Sequence, residues 1–314
     1  MGRIRAALAL AVAAPLASLA AEVAPVEVKP GVFYVQGASG VASATNEGFN
    51  SNAGFVVTPE GVVVVDALGT PALGEALLAA IRRVTREPVK RVIVTHYHAD
   101  HFYGLAAFRN AGAEVWAQRG ALAYLESGEA EKRRAQRAAE LAGRVPADMP
   151  LVRADRWLDG DARFRLGGVD FELTHMGPAH SPEDLIVTMP REGVIFAGDV
   201  LFAGRVPFVG EADSARWIER IDQLLAMKPT VMITGHGAVS REPARDLALT
   251  RDYLVFLRAA MGRAVDDFVP FDEAYAKTDW SRFASLPAFD AANRVNAYGT
   301  YLLMEKELLA RRGQ

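Results

Sequence analysis

Three of the chain's six histidines lie in one heptapeptide, residues 95–101, which reads Thr-His-Tyr-His-Ala-Asp-His. Neutral imidazole and ionised carboxylate are the ligands that Zn²⁺ and similar ions take from proteins. His96 and His98 share a face only in an extended chain, whereas Asp100 and His101 are adjacent and point apart. The spacing therefore predicts a strand that ends in a turning loop. Ligands aimed in two directions suit a pair of metal ions about 3.5–4 Å apart better than one ion.

Further residues that can bind a metal also follow strand-like segments. They are His175, His180, Asp199 and His236. Each ends an apolar run or lies in the loop just after one, so all can converge with the heptapeptide at one edge of a sheet. Asp66 also ends an apolar run, where an unpaired carboxylate would be costly. Two roles fit Asp66 equally well: it caps the following helix, or it orients the loop that carries the heptapeptide.

The segments that must position these residues alternate between strand and helix, which indicates an α/β sandwich with the site at its edge. Strands are predicted at 32–36, 52–57, 61–66, 89–95, 114–117, 151–153, 162–166, 169–175, 184–189, 193–197 and 230–234. Helices are predicted at 71–85, 102–110 and 214–227, where apolar residues recur at helical spacing.

Three segments stand outside this alternation. Residues 37–51 are rich in Gly, Ser, Ala and Asn, and such a loop either flanks substrate or is a mobile surface loop. Residues 119–143 lack β-branched side chains and are predicted to be a helical insertion. The insertion is either a lid or a solvated helical face, and its thin apolar side favours the second. Residues 240–314 are predicted to be a helical C-terminal extension whose apolar stripes pack in a core.

The composition excludes several classes of function. The chain has 314 residues, of which 51% are hydrophobic, so it can bury a large core. The net charge of −3 gives no basic excess for a nucleic-acid partner. Because there is no cysteine, disulfides, thiolate ligands and a thiol nucleophile are excluded, and any metal must be held by nitrogen and oxygen.

The N-terminus has the pattern of an export signal. Arg3 and Arg5 precede a small apolar run at residues 6–16, and Ser18-Leu19-Ala20 supplies the small residues that a signal peptidase requires. The run is shorter than the ~20 apolar residues that span a bilayer. We therefore predict a signal peptide at residues 1–20, no membrane anchor after its cleavage, and a periplasmic or secreted protein.

Together these residues resemble the landmarks of the metallo-β-lactamase superfamily. The landmarks are Asp66 after a strand, His96-x-His98-x-Asp100-His101, His180, Asp199 in Ala-Gly-Asp, and His236 in Gly-His-Gly. The resemblance covers about residues 31–239 and implies a four-layer αββα sandwich as the catalytic domain. Within the superfamily, the chain resembles exported members associated with sulfur-oxidation and quinoprotein systems, whose helical tails are similar.

The resemblance also implies a ligand set and a chemistry. His96, His98 and His180 would hold one zinc ion, Asp100, His101 and His236 a second, and Asp199 would bridge them. Two ions lower the pKa of a shared water toward about 7, and the resulting hydroxide attacks an ester or thioester of a small molecule, as in glyoxalase II. Asp100 would be the catalytic group that orients this hydroxide and accepts its proton.

Two residues near the landmarks have no assigned role. His175 has no counterpart among them and is interpreted as a strand-end residue or a support for the ligands. Tyr103 stands where relatives often have a small residue, which concerns the local shape rather than the ligands.

Other functions compete with ester or thioester hydrolysis. A β-lactam hydrolase is the main alternative, although β-lactamases of this fold typically carry Cys or Ser where this chain has Asp199. An iron-dependent oxidoreductase is less consistent, since flavodiiron relatives place Glu at the position of His98. A binding protein without activity would not keep every ligand position filled. Substrate specificity is expected from residues 37–51, 119–143 and 202–209, and no local basic cluster marks a phosphate or glutathione site.

Overall fold

Two β-sheets form the centre of the molecule in the computed structural model, which describes residues 22–210 and 212–312. The first sheet contains β1 (Val26–Lys29), β2 (Val32–Val35), β3 (Ala53–Thr58), β4 (Gly61–Val65), β5 (Val89–Ile93), β6 (Glu114–Gln118) and β7 (Arg156–Leu158), in that spatial order. The second contains β8 (Ala162–Leu166), β9 (Val169–His175), β10 (Leu185–Met189), β11 (Val194–Phe202) and β12 (Val231–His236), in the spatial order β12-β11-β10-β9-β8. The predicted signal peptide, residues 1–20, lies outside the described residues.

The helices cover the outer faces of the two sheets. They are α1 (Pro71–Val84), α2 (Ala99–Phe102), α3 (Leu105–Asn110), α4 (Ala121–Glu126), α5 (Glu129–Glu140), α6 (Ser214–Met227), α7 (Pro243–Asp266), α8 (Phe271–Lys277) and α9 (Phe289–Arg312). None of the helices in the described part of the chain is long and apolar enough to cross a membrane.

Side chains along each strand point alternately to the two faces of its sheet, and this alternation produces the four layers. In β4, Val63 and Val65 join a core between the sheets that includes Phe171 and Phe196 of the second sheet. Val62 and Val64 point to the opposite face and belong to a core that also contains residues of α1 and α3. The predicted four-layer αββα sandwich with a helical C-terminal region is therefore confirmed.

The outer face of the second sheet is covered by α6 and by the C-terminal helices. Met232 of β12 shares one apolar core with Trp217 of α6, Leu254 of α7 and Met304 of α9. The helical extension therefore packs directly on the sheet whose strands end at the site described below. The domain boundaries at residues 31–239 and 240–314 stay predictions.

Two local predictions were wrong, and one strand was missed. Residues 151–153 form no strand. Leu151 and Val152 pack against the apolar core on the outer face of the first sheet and pair with no strand, and the next strand, β7, begins only at Arg156. The helix predicted at 102–110 is two short helices, α2 and α3. Gly104 separates them and lies against Gly74 of α1, where a Cβ atom on Gly74 would collide with the Gly104 backbone. Strand β1 was not predicted.

Candidate metal centre

The ends of parallel strands bring the predicted ligands to one edge of the sandwich. β4 and β5 are parallel, so Asp66 and the heptapeptide 95–101 leave the first sheet at the same edge. β11 and β12 are also parallel, and they supply Asp199 and His236 from the second sheet. His180 comes from the loop between β9 and β10. Asp100 and His101 lie in α2, and each of the other side chains is fixed by a buried strand or by the loop that follows one.

The predicted ligands converge in two adjacent groups. We call His96, His98 and His180 the first ligand group, and Asp100, His101 and His236 the second ligand group. Asp199 is grouped with the first, and within each group the ligand atoms lie within 4.8 Å of one another. Nε2 of His180 is 2.9 Å from Nδ1 of His98, and Nε2 of His236 is 3.3 Å from Oδ2 of Asp100. The structure therefore gathers the whole set inferred from the sequence.

Asp199 lies between the two groups. Its Oδ2 is 3.3 Å from Nε2 of His180 and 3.3 Å from Nε2 of His236, so one oxygen faces a ligand of each group. Its Oδ1 is 3.2 Å from Nε2 of His101. A carboxylate in this position can bridge two ions.

Hydrogen bonds to the opposite ring nitrogen aim the imidazoles into the centre. His180 donates from Nδ1 to the carbonyl oxygen of Phe208 at 3.0 Å, and His236 donates from Nδ1 to that of Asn50 at 2.7 Å. Nδ1 of His96 lies 3.1 Å from the Thr95 hydroxyl. With Nδ1 engaged in this way, Nε2 of each ring is left as a lone-pair donor toward the cluster, which is the usual support for a metal-binding histidine.

Asp66 gives the same support to His101. Its Oδ2 accepts from Nδ1 of His101 at 2.9 Å and from the Thr95 hydroxyl at 2.8 Å, while its Oδ1 accepts from the Thr95 amide at 2.8 Å. The N-cap of α1 is Thr70, whose hydroxyl accepts from the amide of Leu73. Of the two roles considered for Asp66, the contacts thus match orientation of the ligand loop and not helix capping.

Buried atoms without a protein partner test whether a metal fits. Nε2 of His96, Nε2 of His101 and Oδ1 of Asp199 are buried and make no hydrogen bond within the described residues. Unpaired buried polar atoms are rare because each one loses its hydration without compensation. Here three of them point at a common centre, and their chemistry is the nitrogen and oxygen set that Zn²⁺ accepts. The donor set therefore fits a metal centre.

The protonation states differ between the two groups. Burial lowers the pKa of His98 to about 4 and of His180 to about 3, so both rings are neutral at pH 7 and able to bind a metal. Burial also tends to lower the pKa of His101, but the negative charges of Asp199 and Asp66 raise it well above its usual range. The carboxylates around His101 therefore stabilise a positive charge at this position, which either a proton or a metal ion supplies.

Two glycines allow close packing around Asp199, one against Thr95 and one against Asp199 itself. Gly198 has φ of +50° at an irregularity in the pairing of β11 with β12, and a Cβ atom there would lie 2.8 Å from the Thr95 side chain. A Cβ atom on Gly235 would collide with Oδ1 of Asp199. Since left-handed backbone and close approach both favour glycine, these positions explain why each strand carries glycine beside its ligand.

Two residues noted in the sequence lie outside the ligand groups. His175 ends β9, and its Nε2 is 3.2 Å from the carbonyl oxygen of Pro182, in the loop that carries His180. Tyr103 is buried, with its ring edge-to-face against Phe102 at 4.8 Å.

A cavity of about 290 Å³ opens onto the ligand groups. Each of the three segments from which specificity was expected contributes to its lining. Residues 37–51 supply Val41, Ala42 and Asn50; the insertion supplies Tyr124, Arg133, Arg137 and Glu140; and residues 202–209 supply Phe202, Arg205 and Phe208. Ala292 of α9 completes this side of the lining. The inserted helix α5 thus borders the cavity, contrary to the reading of it as only a solvated face.

The sequence did not reveal the residue that holds the Phe208 carbonyl in place. Asn296 of α9 accepts from the amide of Val209 at 2.8 Å and donates to the carbonyl oxygen of Pro207 at 2.7 Å. It therefore clamps both sides of Phe208, whose own carbonyl accepts from His180. Residue 296 is separated from residue 180 by three strands of the second sheet and three helices, so no local motif could have indicated it.

The comparisons with known proteins point to one family. The sequence pattern of the metallo-beta-lactamase superfamily matches residues 46–236, which is more than half of the chain. The linear primary-alkylsulfatase of Pseudomonas sp. (strain ATCC 19151) is 22% identical over 259 residues, covering 71% of this chain and 49% of that protein. The metallo-beta-lactamase IND-1 of Chryseobacterium indologenes is 23% identical over 193 residues, covering 60% of this chain and 72% of that protein.

Solved structures show the same fold. The sec-alkylsulfatase Pisa1 from Pseudomonas sp. superposes with a TM-score of 0.71 at 18% identity, over 90% of this chain and 50% of that one. A metallo-beta-lactamase from Pontibacter korlensis gives a TM-score of 0.58 at 22% identity, over 74% of this chain and 98% of that one. The chain spans about half the length of the alkylsulfatases that it matches. By its sequence pattern and its fold, the chain belongs to the metallo-β-lactamase superfamily.

Proposed function

We propose that the chain is an exported dinuclear zinc hydrolase that cleaves an ester or a thioester of a small molecule. The observation that carries this proposal is the position of Asp199, whose carboxylate contacts histidines of both ligand groups while its Oδ1 makes no hydrogen bond within the described residues. Seven ligand residues are more than one tetrahedral zinc ion requires, which supports a site for two.

The residues of the chain provide the rest of the reaction. Bound zinc ions would activate a water molecule and polarise the scissile carbonyl group. Asp100 is fixed at the cavity by Asn50, whose side-chain amide donates to its Oδ2 at 3.1 Å. From this position Asp100 can take up the proton of the attacking water and return it to the leaving group. Phe202 and Phe208 line the cavity and can exclude bulk water around the substrate.

A second candidate is hydrolysis of a sulfate ester. It is favoured by the alkylsulfatases among the relatives, one of which aligns with 71% of this chain and another of which superposes over 90% of it. β-Lactam hydrolysis is the third candidate, since metallo-β-lactamases also match, but the two described above cover 60% and 74% of this chain, against 90% for the superposed alkylsulfatase.

Three measurements test the proposal. Elemental analysis of protein purified without chelator should find about two zinc ions per chain, whereas one ion, or mostly iron, would overturn the dinuclear zinc site. A panel of thioesters, aryl esters, alkyl sulfates and β-lactams should show the highest kcat/KM for a thioester or an ester. N-terminal sequencing of the exported protein should begin at or near Ala21, and an intact Met1 would contradict export by a cleaved signal.

A further inference from the structure

Three arginines from distant parts of the chain line the cavity above the ligand groups. Arg133 and Arg137 come from α5, and Arg205 comes from the segment that follows β11 on the opposite side. The first two are four residues apart on one helix, so their side chains lie on the same face. Arg205 is an isolated arginine in the sequence, and Arg133 and Arg137 lie in a stretch, residues 129–140, that mixes basic residues with glutamates, which is why no anion site was expected there.

Arg205 is the least exposed of the three. It is 4% exposed, and its described hydrogen bonds go to the backbone carbonyl oxygens of Val206 at 3.3 Å and Gly40 at 3.2 Å, not to a carboxylate. Its Nη1 also lies 3.5 Å from Nδ1 of His236, but that nitrogen already donates to Asn50. Asp199 and Asp100 act on this guanidinium through space without hydrogen bonding to it, and both belong to the ligand set. A buried guanidinium that no carboxylate hydrogen-bonds is costly, and it becomes favourable when a ligand supplies the negative charge.

The two arginines of α5 are held in place by neighbours on the same helix. Nη1 of Arg133 donates to Gln136 at 2.9 Å, Gln136 donates to Glu140 at 2.6 Å, and Nη1 of Arg137 donates to Glu140 at 3.0 Å. Glu140 is the one carboxylate of the described lining that faces neither ligand group. With Asp100 and Asp199 committed to metal ions, three arginines and one glutamate leave the cavity with excess positive charge.

We propose that the substrate carries an oxyanion group, a carboxylate or a sulfonate-like oxygen set, which Arg205 and the Arg133–Arg137 pair bind beside the scissile bond. This inference rests on the proposed hydrolysis and names its substrate class. The guanidinium fork matches two oxygens of such a group at once. The apolar lining, with Val41, Phe202 and Phe208, accommodates the hydrocarbon part of the same molecule. The anion lies either on the acyl part or on the leaving group.

Matched thioester pairs separate these two positions. The acyl pair is the adipoyl and hexanoyl thioesters of N-acetylcysteamine, and the leaving-group pair is the acetyl thioesters of 2-mercaptoethanesulfonate and N-acetylcysteamine. For the zinc-loaded protein we expect kcat/KM to favour the anionic member of one pair by at least about tenfold, the lower end of what one hydrogen bond to a charged group provides. A preference below about threefold in both pairs overturns the proposal.

Substitution of the arginines tests whether they cause the preference for the anionic substrate. Arg205→Gln, and separately the double variant Arg133→Gln with Arg137→Gln, should lower the anionic-to-neutral ratio by about 10- to 100-fold. Arg205→Lys keeps a charge in the buried position and should retain part of the preference, and it serves if Arg205→Gln does not fold. Lys132→Gln is the matched control, because Lys132 also lies on α5 but is exposed, pairs with Glu129 and does not line the cavity. An unchanged ratio in both arginine variants overturns the assignment.

A binding measurement distinguishes this inference from the proposed function. Calorimetry with hexane-1-sulfonate, which is not hydrolysed, should show weaker binding to the arginine variants than to the wild type and the Lys132→Gln control. If no thioester or ester is cleaved, the proposed hydrolysis fails, while this loss of binding still supports the anion site. Equal affinity in all four proteins overturns the anion site, whatever the turnover.

Discussion

The substitution Asp66→Asn tests how strongly a residue that orients a candidate ligand affects the stability and the metal affinity of the site. The carboxylate accepts three hydrogen bonds, one at Oδ1 from the Thr95 amide and two at Oδ2 from the Thr95 hydroxyl and Nδ1 of His101. An asparagine has one oxygen and one NH₂ group. In the more favourable of the two side-chain orientations, the asparagine oxygen takes the Oδ2 position and the NH₂ group faces the Thr95 amide. One hydrogen bond is then lost, and two donors face each other.

The size of the effect follows from that exchange. One hydrogen bond to a charged group contributes about 1.5–3 kcal/mol, and the bond that remains to His101 is weaker because its acceptor is neutral. We therefore expect the free energy of unfolding of the metal-free protein to fall by about 2–3 kcal/mol. His101 is then less firmly oriented, and the affinity for the weaker-bound zinc ion should fall by about 10- to 100-fold.

Denaturant unfolding with a chelator present measures the first effect, and titration of zinc against a competing chelator measures the second. Asp184→Asn is the matched control: Asp184 is also a buried carboxyl, but it accepts from the amide of Ser181 and interacts with its hydroxyl rather than with a histidine. This control should keep the affinity for the weaker-bound zinc ion. If Asp66→Asn binds both ions with affinities within about threefold of wild type, the contact between Asp66 and His101 does not support the metal centre.

Three other predictions follow from the same geometry. Asp199→Ala removes the carboxylate between the ligand groups and should lose one of two zinc ions with most of the turnover, so an unchanged zinc content by elemental analysis would count against a bridge. Burial raises the pKa of Asp184 well above its usual range, so the stability that this carboxyl contributes below about pH 4 is lost as the pH rises toward its folded pKa. Asp184→Asn should therefore gain stability relative to wild type as the pH rises above about 4 in chelator-treated unfolding experiments, and a constant difference would refute this. A bridging carboxylate makes the ions weaker Lewis acids for the nitrogen anion released when a lactam opens, so kcat/KM for thioesters or activated esters should exceed that for penicillins by at least about 100-fold, and lactam turnover near 10⁴ M⁻¹s⁻¹ would reverse the choice.

The convergence of the candidate ligands could be expected from the sequence because most of them lie at or near the end of an apolar run. An apolar run followed within three residues by His or Asp is a local pattern, and His96, Asp199 and His236 all show it. The four layers were predictable for the same reason, since buried strands and amphipathic helices alternate along the chain.

The cavity wall was not predictable, because its members meet only in three dimensions. Arg133 and Arg137 lie in a helix so rich in charge that they read as solvated, and Arg205 is a single arginine in a loop. The predicted strand at 151–153 failed in a related way: Leu151 and Val152 have strand-like side chains, but they pack against an apolar core and pair with no strand. Which strands pair, and which residues face each other across a cavity, depend on contacts between distant parts of the chain. Local sequence patterns do not contain this information.

The clamp that Asn296 forms around Phe208 couples α9 to the first ligand group. Because α9 holds the carbonyl that orients His180, docking of α9 and binding of a metal ion by the first ligand group would stabilise each other by equal amounts of free energy. During synthesis the residues of both ligand groups leave the ribosome before residue 296 does. The first ligand group would therefore reach its full affinity only after α9 has been made and docked, and a bound metal ion would resist fraying of a helix that contributes none of its ligands.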